Sequence, residues 1–120
     1  MRRVEISYAR ALAIDGYGPG FFRLGSHVLR GPSLITPWDA GNWGGLGDFA
    51  APLDLVGRID VLLLGMGAEI APVPSAFRDA LEAQGIGVEP MNTPAACRSY
   101  NVLLGEGRRV AAGLLPMPDV

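Results

Sequence analysis

The chain has 120 residues, a formal net charge of -2 and an acidic isoelectric point near 5.2. That length builds one hydrophobic core, so a single domain over residues 1–120 is expected. The charge offers no general attraction to phosphate backbones or anionic lipid, so neither nucleic acid nor membrane is an expected partner. Hydrophobic residues make up 49% of the chain and charged residues 18%, with a mean hydropathy of +0.27, which excludes a disordered chain and leaves apolar surface for a partner subunit.

One cysteine and one histidine remove an internal disulfide and every multi-ligand zinc motif, so no metal and no cofactor is expected, and the cytoplasm is the expected compartment. The Met1-Arg2-Arg3 start is followed by Glu5, Arg10 and Asp15, which break up a signal-like apolar run. The longest apolar run, Val61 to Leu64, is too short to span a bilayer.

Taken in order, Val4 to Tyr8 alternates in strand fashion. Phe21 to Leu24 and His27 to Arg30 flank Gly25-Ser26, a pair suited to a two-residue hairpin turn. Ser33 to Thr36 reads as a third short strand, halted by Pro37. From Trp38 to Gly47 the spacing predicts a loop, with its glycines allowing close approach and its two indoles plugging the core or facing a partner. Trp38, Asn42 and Trp43 are the partner-surface candidates.

Asp60 to Leu64 is continuously apolar after its first residue, the mark of a strand buried on both faces, and it runs into Gly65-Met66-Gly67. Pro74 to Gln84 predicts a helix with Phe77, Ala80, Leu81 and Gln84 on its buried stripe and Gly85 closing it. Ile86 to Met91 follows as a strand. Thr93 then caps a last helix, with Pro94 at its first position, running to about Leu104. Arg108 to Leu115 is the final strand. The β-α-β-α-β order from Asp60 onward requires at least one parallel strand pair.

The start of the last helix is where chemistry is expected, because free amides and partial positive charge favour an anion there. Thr93 and Ala95 at that turn, Arg98 beside it, and Gly65 and Gly67 of the glycine turn are the ligand-binding candidates. Cys97 and Arg98 are the catalytic candidates, although the helical wheel places Cys97 beside the Ala96, Tyr100, Leu103 and Leu104 face as a small buried hydrophobe. His27 is the one imidazole that could serve such a thiol as base. Gly65-Met66-Gly67 with Glu89 has part of a dinucleotide fingerprint, but Ile70 stands where the third glycine belongs and two prolines precede the helix. Arg108 and Arg109 read as a solvated face, or as partners of Arg98 in an anion pocket.

Ile35-Thr36-Pro37-Trp38, Trp43-Gly44-Gly45-Leu46, Asp60 through Gly67, Gly85 through Glu89 and Thr93 through Leu103 together resemble the Mth-type domain-of-unknown-function family over residues 20–116. That family includes the mitochondrial respiratory complex I assembly factor three and an adipogenesis-associated protein, and this chain looks like a bacterial single-domain member. The resemblance implies a three-layer α/β domain, its mixed sheet ending in an antiparallel strand, with a smaller β layer; two helices are expected on one face of the sheet and a hairpin as the added layer. It brings no catalytic residue set. The expected function is non-enzymatic binding of another protein or a second copy, in the manner of an assembly factor. The rival reading is an enzyme or small-anion binder using Cys97 and Arg98.

Overall fold

A computed structural model describes residues 3–4 and 13–118. Nine strands form two sheets among these residues. The larger has the order β1 (Arg3–Val4), β6 (Ala40–Asn42), β5 (Ser33–Ile35), β9 (Val110–Leu115), β7 (Val61–Met66), β8 (Gly87–Met91). The smaller is the meander β2 (Gly16–Gly18), β3 (Phe21–Leu24), β4 (His27–Arg30). Three helices are α1 (Ala50–Leu53), α2 (Ser75–Glu82) and α3 (Thr93–Gly105).

The Gly25-Ser26 hairpin forms as expected, pairing Leu24 with His27. The expected strand at Ser33 leaves the small layer and joins the main sheet against β9, with Leu34 opposite Gly113. Of the alternating Val4 to Tyr8 stretch only Val4 belongs to a described strand; residues 5–8 lie outside the described residues.

β7 is the buried centre. Leu62 and Leu64 face one side with Val88, Phe77, Leu81 and Trp43, while Leu63 faces the other with Ala96, Cys97, Tyr100 and the small-sheet residues Phe22, Leu24 and Leu29. The period of two therefore splits one apolar run between two cores. It also corrects the expectation of both helices on one face: α2 lies on one side of the sheet, and α3 with the small β layer on the other. The reason is strand order. β7 is flanked by β8 and β9, both parallel to it, so two right-handed crossovers leaving in opposite directions must pass over opposite faces. The last strand is likewise parallel to β7 and antiparallel only to β5, which corrects the antiparallel ending that the resemblance implied.

α2 buries Phe77 and Leu81 one turn apart, with Phe77 against Trp43 at 6.0 Å and Phe49 at 5.5 Å between ring centroids. Ala80 is half-buried, and Gln84 is exposed beyond the last helical residue instead of on the stripe. Gly85, at φ +86°, lets its own N–H reach Glu82 O and lets Ile86 N–H reach Leu81 O, a Schellman closure. Three elements had no local signature, β2 among them. Within the expected Trp38–Gly47 loop, β6 forms because Ala40 and Gly41 pair with Ile35 and Leu34; α1 is a single turn burying Ala51 and Pro52. No helix is long and apolar enough to cross a membrane among the described residues.

Candidate functional site

In an open α/β sheet, ligands bind outside the carboxyl ends of the strands, where the crossover direction reverses. Here that point lies between β7 and β9, where Met66 pairs with Leu115, and the start of α3 sits directly over it. The Thr93 hydroxyl accepts a hydrogen bond from Gly67 N–H at 2.9 Å and donates to Leu115 O at 2.6 Å. The Thr93 N–H donates to Gly67 O at 2.8 Å. Thr93 is fully buried and ties the ends of β7 and β9 to the helix.

The approach is close enough to require glycine at 65. A Cβ there would lie 2.8 Å from Thr93 Oγ1, 2.9 Å from Leu114 Cδ2 and 3.0 Å from Thr93 Cα. Gly67 adopts φ +91°, a left-handed turn that presents both its N–H and its carbonyl to Thr93.

The helix cap differs from expectation by one residue. Asn92 is the N-cap: its Oδ1 accepts from Ala95 N–H at 2.8 Å and its carbonyl accepts from Ala96 N–H at 3.0 Å. Thr93 is the first helical residue, and Pro94, with no N–H, is the second. Asparagine and threonine are both good caps, and helix ends read from sequence shift by a residue. The chemical consequence is large. The N–H groups of Thr93, Ala95 and Ala96 already have partners within the chain, so the free amides expected for a guest are consumed.

Cys97, one residue deeper than expected, is a free, buried thiol packed with Leu63, Tyr100 and the small sheet. Burial pushes it up to about 11, the nearby Arg98 charge only partly offsetting the loss of solvation. Burial likewise pushes the Tyr100 phenol up, and the Asp39 carboxylate adds to that. Arg98 is exposed on the far side of the helix. His27 sits at the hairpin turn, and no hydrogen bond joins it to Cys97 among the described residues. Arg109 donates to Gly57 O at 3.0 Å and lies 3.3 Å from Asp60, at the amino ends of the strands. The full length of β9 separates it from the Thr93 turn, so Arg108 and Arg109 do not join Arg98 in one anion pocket.

The three partner-surface candidates part company. Thr36 Oγ1 accepts from Trp38 N–H at 3.0 Å and Asp39 N–H at 2.9 Å, folding a tight turn that leaves Trp38 42% exposed. The Arg58 guanidinium lies 4.1 Å from the centroid of the Trp38 ring. Asn42 is exposed at the other end of β6. Trp43 is buried: its indole donates to Asp48 O at 3.1 Å and fills the space above Gly113, where a Cβ would come within 3.0 Å of the ring. Sequence reasoning missed Arg58, 20 residues away, and the Asn101 side chain, which exchanges two 2.8 Å hydrogen bonds with the Ile14 backbone. No local pattern signals either contact.

A family described as "Protein of unknown function (DUF498/DUF598)" matches residues 14–115. The chain belongs to this family. An uncharacterized protein from Rhodobacter capsulatus is 55% identical over 95% of this chain and 92% of its own length. The human NADH dehydrogenase [ubiquinone] 1 alpha subcomplex assembly factor 3 is 31% identical over 92% of this chain; the chain spans 64% of that protein. Among solved structures, one titled as an outer membrane protein from Bartonella henselae has a TM-score of 0.81 at 35% identity, covering 89% of this chain and 96% of that one. A Bordetella pertussis protein described as a Mth938-like domain has a TM-score of 0.77 at 24% identity, covering 99% and 94%, and shares the fold. The expected Mth-type fold is therefore shared, with the helix placement and the direction of β9 corrected as above.

Proposed function

We propose that this DUF498/DUF598 chain is a non-enzymatic, assembly-factor-like protein-binding domain of the bacterial cytoplasm. One observation carries the reading: the strand-end crevice where an α/β domain would hold a small ligand is occupied by the chain's own Thr93 side chain. The spent amides of α3 and a thiol held near 11 point the same way, since nucleophilic chemistry needs a thiolate and an anion needs open donors. The name of the human relative supplies the partner class, a subunit of a respiratory NADH dehydrogenase. Trp38 supplies the surface. Its exposed ring is held over Arg58, and tryptophan and arginine are the side chains that most often dominate protein interfaces.

The test is deletion of the gene in its own organism, with NADH oxidation by membranes and native-gel assembly intermediates as readouts. Loss of the assembled enzyme, restored by the wild-type chain and by Cys97→Ala but not by Trp38→Ala, is the expected result. Normal assembly in the deletion strain, with Cys97- or Arg98-dependent turnover of an anionic or acyl substrate by the purified chain, would replace this reading with the enzyme.

A further inference from the structure

α3 buries Ala96, Cys97 and Tyr100 and turns the opposite row outward. That row is Arg98 and Val102, continued by the C-cap residue Glu106, spaced by four residues, with Ser99 and Gly105 three residues to either side of Val102. Val102 is 59% exposed, the largest exposure of any residue in α3's apolar set. Beside it a groove of about 510 Å³ opens between α3 and β8, lined by the apolar Leu63, Met91, Val102 and Leu103 and by the polar Glu89, Arg98 and Ser99. Arg98 and Glu106 are exposed, and among the described residues neither side chain makes an ion pair or hydrogen bond.

We propose that this face of α3 seats a second copy of the chain, the two helices crossing antiparallel on a two-fold axis at Val102, with Arg98 of each copy against Glu106 of the other. The charge pattern is what selects this occupant. Four residues advance a helix by about 6 Å, so a base and an acid stand equally far from Val102 on its two sides. A two-fold axis through Val102 therefore places each charge opposite its complement, the property an isologous interface requires. A parallel arrangement would set Arg98 against Arg98. The short side chains at Ser99 and Gly105 occupy matching places about the same axis, and a Cβ at Gly105 would meet nothing within 4 Å, so the helices can approach closely. The two Val102 side chains then meet on the axis, at the margin of each copy's groove.

The sheet edge is a poorer route to the same dimer. Pro90 interrupts the β8 edge, and Arg78 already donates to Val88 O at 3.2 Å. The α3 surface is distinct from the one around Trp38, so failure here leaves the assembly-factor reading standing, and the reverse holds too.

The experiment is sedimentation equilibrium of the purified chain from low micromolar to about millimolar concentration, with far-ultraviolet circular dichroism confirming the fold of each variant. The expected wild-type result is association to twice the 12.6 kDa chain mass, weakened by salt. Arg98→Glu and Glu106→Arg each weaken it about tenfold, and the double variant returns it toward wild type because both pairs are re-formed with reversed sign. Val102→Arg abolishes it. A wild-type monomer throughout the range, indifference to Val102→Arg, or failure of the double reversal to restore what the singles lose would overturn the proposal, and the first would hand the groove to a different protein.

Discussion

Thr93 Oγ1 and Gly67 N lie 2.9 Å apart across 26 residues of sequence, and that one bond closes the crevice between β7 and β9. The same hydroxyl hands its proton to Leu115 O, so both hydrogen-bonding capacities of one small side chain hold two strand ends and a helix together.

Thr93→Val keeps the shape and removes the hydroxyl, leaving the buried Gly67 N–H and the partly buried Leu115 carbonyl without this partner. We expect a loss of about 2 kcal/mol in urea unfolding, against a small loss for Thr93→Ser, which keeps both bonds. Equal melts for the valine and serine variants would show that the hydroxyl contributes nothing.

Gly65→Ala drives a methyl group into the Thr93 backbone and Leu114, and the expected cost is about 1–3 kcal/mol. Gly105→Ala is the control. Space is open there, at the last residue of α3, and the variant should be more stable than wild type by at most roughly 0.5 kcal/mol. The two denaturation midpoints should move in opposite directions.

The Cys97 thiol, pushed by burial from an ordinary value of 9.0 up to about 11, should react with iodoacetamide at pH 8 far more slowly in the native protein than in denaturant. The linkage sign follows from the same numbers. As pH climbs above 9 the unfolded thiol loses its proton first, so the unfolded state is favoured and stability falls until the folded thiol titrates near 11. Cys97→Ala should flatten the stability profile in that window; the remaining slope belongs to Tyr100, whose shift has the same direction.

The two tryptophans should separate in fluorescence. Trp43→Phe leaves only exposed Trp38, giving red-shifted emission readily quenched by iodide, whereas Trp38→Phe leaves a blue-shifted, protected indole. Trp43→Ala should cost about 3–5 kcal/mol, and Trp38→Ala about 1 kcal/mol or less, since it loses only an exposed contact with Arg58.

Local pattern carried a large part of the fold. Gly25-Ser26 marked the hairpin, the apolar run from Val61 marked the central strand, and Phe77 with Leu81 and Gly85 marked α2, because each depends on residues within a turn or two of each other. The placement of Cys97 on the buried face of α3 was readable for the same reason. β6 was not: Ala40 and Gly41 have no pattern of their own, and their strand exists through pairing with β5.

What the amino-acid order determined alone was the β3–β4 hairpin, the β-α-β-α-β run from β7 onward and the family, through periodicity, turn chemistry and the motifs from Ile35 to Leu103. Tertiary structure decided which side of the sheet each helix covers, which tryptophan is buried, and whether the start of α3 is open. Those outcomes depend on contacts such as Gly67 with Thr93 and Thr93 with Leu115, formed between residues 22 to 26 positions apart. A helix N-terminus offers its amides only until the rest of the chain arrives, and here the chain reached them first.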